Sequence, residues 1–125
     1  MTKVYLSGPM TGKPDYNRAA FADAAYKLRE LGFEVVNPHQ LPEPVLTQDE
    51  EYNWRQYLAR DVELLIRDNT IDGVVVLSGW ENSRGSVLEL HVAQYVGLKV
   101  FPLEAVLRAG ETVRNNEGKI EDVQN

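Results

Sequence analysis

The chain has 125 residues, 43% hydrophobic and 26% charged, a composition that builds one folded domain with its own core. It has no cysteine, which excludes disulfides, thiolate nucleophiles and cysteine-ligated zinc, and two histidines, His39 and His91, are too few for a histidine-rich metal site. The formal net charge of -6 speaks against broad, sequence-independent binding to DNA or RNA, though not against one small phosphorylated ligand at a helix N-terminus.

The first predicted element is a strand over Val4-Tyr5-Leu6-Ser7, ended by Gly8-Pro9. A helix follows from about Asn17 to Leu31, where Phe21, Ala24, Ala25, Leu28 and Leu31 recur at helical spacing and Gly32 supplies the stop. The second strand is Glu34-Val35-Val36-Asn37, ended by Pro38. A second helix runs from about Gln48 to Asp68 on a stripe of Trp54, Tyr57, Leu58, Val62 and Leu65, with Thr47 and Glu50 at capping-box spacing. Gly73 to Ser78 is a continuous β-branched run, as a strand covered on both faces requires. A third helix spans about Ser86 to Val96 on Leu88, Val92, Ala93 and Val96, and Gly97 ends it. The fourth strand is Leu98-Lys99-Val100-Phe101, and a weaker helix covers Leu103 to Ala109. From Gly110 onward the chain is polar and expected to be mobile, so the domain is assigned to residues 1–110 and a tail to 111–125.

Strands alternating with helices predict an α/β protein: a small flavodoxin-like, Rossmann-like parallel sheet with helices on both faces. Such sheets bind ligands at the carboxyl ends of their strands, which directs attention to Ser7–Gly12, Asn37–Pro44 and Ser78–Ser86. No apolar run approaches the about 18 residues of a membrane helix. The first residues lack the features of a signal peptide, so a cytoplasmic protein without membrane or nucleic-acid partners is expected.

Two carboxylates break the apolar pattern. Asp61 falls on the stripe of Trp54, Leu58 and Leu65, so it faces the protein body and needs a partner or a task. An ion pair with Arg18, Arg60 or Arg84 is the structural alternative. Glu89 shares a face with Val92, Ala93 and Val96 and falls in the first turn of its expected helix, where the helix dipole favours an ionised carboxylate, the form a nucleophile needs. Ser86-Val87-Leu88-Glu89 equally fits a capping box, and spacing leaves both readings open.

The loops supply the remaining candidates. Gly79-Trp80-Glu81-Asn82-Ser83-Arg84-Gly85-Ser86 places two glycines, two serines and an arginine before a helix, where a phosphate or sugar hydroxyl can be received; an ordinary capped βα loop is the alternative. Trp80 is a candidate for stacking on a base. In Ser7-Gly8-Pro9-Met10-Thr11-Gly12, the glycines would let a ligand approach the backbone, and Tyr5 could reach the same pocket or simply belong to the core. Neither the dinucleotide fingerprint nor a Walker A motif occurs.

Together, Tyr5-Leu6-Ser7-Gly8-Pro9-Met10-Thr11-Gly12, the mid-helix Asp61 and the loop Gly79 to Ser86, with Gly85 four residues before Glu89, resemble the nucleoside 2-deoxyribosyltransferase superfamily. That superfamily includes the 2′-deoxynucleoside 5′-phosphate N-hydrolases and CMP N-glycosidases, and the likeness is closest to short, often phage-encoded members. The resemblance implies a flavodoxin-like fold and no cofactor or metal. It implies a homodimer or larger homo-oligomer whose sites a neighbouring subunit completes. It assigns Glu89 as nucleophile, Asp61 to sugar and proton transfer, Tyr5 to the same catalytic set, and Ser7, Gly8, Pro9 and Met10 to the sugar and base pocket. In the resembled family the position six before the nucleophile tends to be aspartate in nucleoside enzymes and serine in nucleotide enzymes; here it is Ser83. The expected activity is therefore cleavage of the N-glycosidic bond of a (deoxy)nucleoside 5′-monophosphate with release of free base, placing Trp80, Ser83, Arg84, Gly85 and Ser86 at the substrate. Base exchange by a deoxyribosyltransferase and a non-catalytic nucleotide-binding module are the alternatives. The C-terminal tail does not match the end that some transferases insert into the neighbouring site.

Overall fold

The computed structural model of the protein describes residues 2–111; the polar tail from residue 112 onward lies outside the described residues. Four strands, β1 (Lys3–Ser7), β2 (Glu34–Val36), β3 (Gly73–Val76) and β4 (Lys99–Pro102), form one sheet in the order β2-β1-β3-β4. Every neighbouring pair is parallel: Val4 lies beside both Val35 and Gly73, and Val74 beside Val100. The helices α1 (Arg18–Glu30), α2 (Glu50–Arg67) and α3 (Arg84–Tyr95) provide the crossovers, and residues 103–111 form a last helix. This is the α/β class and topology expected from the sequence. Among the described residues no helix is long and apolar enough to cross a membrane.

Strand alternation divides the core in two. Val4 and Leu6 of β1 pack with Phe21, Ala24, Ala25 and Leu28 of α1 on one face, together with Leu103, Val106 and Leu107 of the last helix. Tyr5, Val74 and Val76 pack with Leu65 of α2 and with Leu90 and Ala93 of α3 on the other. The odd positions of β1, Tyr5 and Ser7, therefore look toward α2 and α3.

Local chemistry corrects several expected boundaries. α2 starts at Glu50 because the Asp49 carboxylate accepts the Glu51 and Tyr52 amides; Thr47 instead accepts the Asp49 amide and bonds Asn53, so no Thr47–Glu50 capping box forms. α3 starts two residues earlier than expected, at Arg84, with Ser83 as its cap accepting the Ser86 amide at 3.3 Å. That earlier start removes the Ser86–Glu89 capping box and moves Glu89 to the second turn. α3 also turns a different face inward. Ser86, Glu89, Leu90 and Ala93 are buried, whereas the expected stripe residues Leu88 and Val96 are 43% and 44% exposed. Gly97, at φ 86°, adopts the left-handed turn that lets the Leu98 amide reach back to the Ala93 carbonyl at 2.8 Å, closing the helix as expected. The last helix runs past Ala109 through residue 111, and a side chain at Gly110 would sit 2.7 Å from Leu31.

Gly8 has a structural duty. A Cβ there would lie 2.9 Å from the Leu77 Cβ and 3.4 Å from the Phe21 ring, so only glycine lets the chain leaving β1 pass the end of β3. Gly8→Ala is expected to cost about 1–3 kcal/mol through overpacking. Thermal denaturation checks this, and an unchanged midpoint would mean that the loop moves aside without strain.

Candidate active site

The carboxyl ends of β1 and β3 lie beside α2 and α3 on the face that carries Tyr5 and Ser7. Glu89 projects into this angle from α3 and Asp61 from α2, each 7% exposed. The Tyr5 hydroxyl donates to Glu89 Oε2, and the Ser7 hydroxyl donates to Glu89 Oε1 at 3.0 Å. Both carboxylate oxygens of Glu89 are thus held by two side chains of β1, from positions two apart in sequence and therefore on one face. The sequence placed Ser7 in a ligand pocket; its hydroxyl here orients Glu89.

Asp61 is bound by its neighbour. Arg60 Nε donates to Asp61 Oδ1 at 2.9 Å, while its two terminal nitrogens donate to the carbonyls of Pro38, at 3.1 Å, and Pro42, at 3.2 Å. Of the three arginines open on sequence grounds, Arg60 is the one paired with Asp61. Arg18 pairs with Asp15, and Arg84 lies 3.4 Å from Glu51 with its guanidinium 3.8 Å over the Trp54 ring.

Burial dominates the electrostatics. Glu89 is pushed up to about 8, first by desolvation and then by the Asp61 charge, against the opposing hydrogen bonds of Tyr5 and Ser7 and the charge of Arg60. Asp61 is raised by desolvation, and the charge and hydrogen bond of Arg60, with a smaller contribution from the Tyr5 hydroxyl, pull it back. Tyr5 is raised well above its ordinary value by burial and by the Glu89 and Asp61 charges, so its hydroxyl stays a donor. The expectation of a Glu89 held ionised by the helix dipole is corrected here. The sixth residue of α3 lies beyond the reach of the terminal dipole, and burial beside a second carboxylate decides.

The loop residues divide. Pro9 is buried, and a side chain at Gly79 would touch its ring at 3.5 Å, so the two loops at the strand ends lie against each other. Met10 packs against the α1 side of the core and Trp80 against the α2–α3 side. Ser86 is buried, with a hydroxyl that has no partner among the described residues, and Gly85 approaches Leu58 of α2. Arg84, expected at the substrate, is turned onto α2 and is 67% exposed.

Two neighbouring features went unread in the sequence. Asp15, Tyr16 and Asn17 are consecutive left-handed residues, at φ 48°, 52° and 64°, and the Asn17 amide holds the Pro9 carbonyl at 2.9 Å. His39, edge-on to Phe21 at 4.9 Å, has a buried Nε2 with no partner among the described residues. No periodicity marks a side chain that holds a loop carbonyl, so neither had a sequence signal.

No curated protein matches the sequence. Among solved structures, a 2-deoxyribosyltransferase from the psychrotolerant bacterium Bacillus psychrosaccharolyticus shares the fold, with a TM-score of 0.53 and 21% identity over 81% of this chain and 71% of that one. This is the fold that the resemblance to the deoxyribosyltransferase superfamily implied. At the level of sequence family, the profile described as a domain of unknown function, DUF4406, matches residues 2–102, and the chain belongs to that family.

Proposed function

We propose that this protein is an enzyme that cleaves the N-glycosidic bond of a nucleoside 5′-monophosphate. The observation that carries the reading is a buried glutamate at the sheet's carboxyl edge, with both oxygens held by Tyr5 and Ser7 and a second buried carboxylate beside it. Structural ion pairs rarely place two raised carboxylates together; sites of covalent and acid–base chemistry do.

In the proposed reaction the ionised Glu89 attacks the anomeric carbon and forms a glycosyl ester, while the electrons of the broken C–N bond leave with the base. Asp61 takes part in delivering the proton that the departing base needs. Water then adds to the ester, releases the sugar phosphate and restores the carboxylate. Tyr5 and Ser7 aim the carboxylate and release it as the ester forms. Trp80, Ser83 and Ser86, all from the segment joining β3 to α3, are the residues assigned to substrate contact in this reading, and a second subunit of a homo-oligomer closes the site.

Base exchange is the second reading, favoured by the fold shared with the Bacillus 2-deoxyribosyltransferase. It differs only in whether a second base or water attacks the ester. Incubation with a panel of nucleosides and nucleoside monophosphates, followed by chromatography, is expected to show free base from the monophosphates. A second free base added to the mixture tests exchange through the new nucleotide it would form. Release of no base from any compound, together with a rise in melting temperature, would replace the enzyme by a nucleotide-binding module.

A further inference from the structure

Arg60 does more than neutralise its neighbour. Its three guanidinium contacts use the whole fork: Nε on Asp61 Oδ1, and one terminal nitrogen each on the Pro38 and Pro42 carbonyls. Those carbonyls belong to the segment that leaves the carboxyl end of β2, so one planar side chain ties α2 to the loop beside the site. The Tyr57 ring one turn earlier lies 5.2 Å from the guanidinium carbon, and Arg60 is half-buried. A guanidinium held at three points cannot swing away, and it fixes the Asp61 carboxylate with it.

We propose that Arg60 is a positioning residue for the glycosidic reaction: it clamps Oδ1 of Asp61 against the β2–α2 loop, leaving the second carboxylate oxygen to relay the proton to the departing base. This rests on the catalytic reading given above. The charged and titratable groups around the pair are Tyr5 from β1, Glu89 from α3, and His39 from the β2–α2 connection, which also feels the Arg60 charge. A relay oxygen works when its carboxyl exchanges a proton near working pH. Burial drives Asp61 toward holding its proton, and the Arg60 charge opposes this at both Asp61 and Glu89.

The test compares the native protein with Arg60→Gln and Arg60→Lys, measuring the pH dependence of kcat/KM for base release and the titration of the Asp61 carboxyl carbon by NMR. Arg60→Gln is expected to move the acid limb, which reports ionisation of Glu89, to higher pH by about one unit or more, and separately to raise the Asp61 titration. At neutral pH kcat should fall about tenfold or more, while KM changes little, since the interaction acts on the chemical step. Arg60→Lys should return most of the pH limb but not kcat, because an ammonium cannot reproduce the three-point fork. A folded Arg60→Gln with the native limb, native kcat and native Asp61 titration overturns the proposal. If Glu89→Gln stays fully active, the catalytic reading fails instead. If the native protein releases no base, the Asp61 titration still decides whether Arg60 holds that carboxylate.

Discussion

Glu89→Gln is expected to lower glycosidic cleavage by about three orders of magnitude or more while leaving the fold intact. Glutamine keeps the shape, and its amide can still accept from Ser7 or Tyr5, but it cannot form the ester. The same substitution should raise the melting temperature. In the folded protein Glu89 holds its proton up to about 8, against an ordinary value of 4.5. Between those values the native state binds a proton that the unfolded chain has released, so stability falls as pH rises through the window. Glutamine removes that slope. The gain over native protein should therefore be small near pH 4.5 and grow toward pH 8. Kinetics should follow the opposite side of the same equilibrium. The attacking carboxylate is the minority form at neutral pH, so native kcat/KM should climb as pH rises toward 8. Calorimetry across pH, beside a base-release assay, checks both. A folded Glu89→Gln that cleaves at the native rate would sink the mechanism. A variant that melts lower at every pH would show that the buried carboxylate stabilises the fold rather than straining it.

The trade between stability and reactivity explains why the fold and the candidate site were legible to different depths. Periodicity located all four strands and all three crossover helices, because apolar residues must meet the sheet. It also flagged Asp61 as a carboxylate on an apolar stripe, and Asp61 is buried. α3 was harder. Its buried positions, Ser86, Glu89, Leu90 and Ala93, follow the spacing of a helix face, yet two of the four are polar, so a search for apolar stripes settled on Leu88 and Val96 instead. A face built for chemistry is poor in the signal that marks a face built for packing. Glu89 was still recognised as inward, because it shares its side of the helix with Ala93. What the sequence could not carry was the geometry between elements: that Tyr5 and Ser7 would share Glu89, that Arg60 rather than Arg18 or Arg84 would take Asp61, and that burial would outweigh the helix dipole. Each depends on how α2 and α3 lean over β1, which no local pattern records.

Ser83→Asp is expected to cut the cleavage of nucleoside 5′-monophosphates sharply while sparing free nucleosides. Ser83 caps α3 and accepts the Ser86 amide, which leaves its hydroxyl proton available to donate. The first-turn amides of that helix end point toward the β3–α3 loop, and the buried Ser86 hydroxyl, one turn away, has no partner among the described residues. A phosphate oxygen would satisfy such donors. Arg84, the nearest cation in sequence, is committed to Glu51 and the Trp54 ring, so the hydroxyls and amides must do most of the binding. Aspartate would keep the cap, since its carboxylate also accepts from the first-turn amides, and the fold should survive. It would, however, set a negative charge against the phosphate. At about 4 Å that repulsion is about 1 kcal/mol in water-like surroundings and about 4 kcal/mol near a protein surface, a loss of about fivefold to a thousandfold. The measurement is the ratio of kcat/KM for one base with and without its 5′-phosphate, in native protein and in Ser83→Asp. Native protein should favour the phosphate and the variant should reverse the ratio. A native preference for the free nucleoside would refute the substrate assignment. A phosphate preference that Ser83→Asp leaves untouched would keep the substrate and move its phosphate away from the α3 terminus.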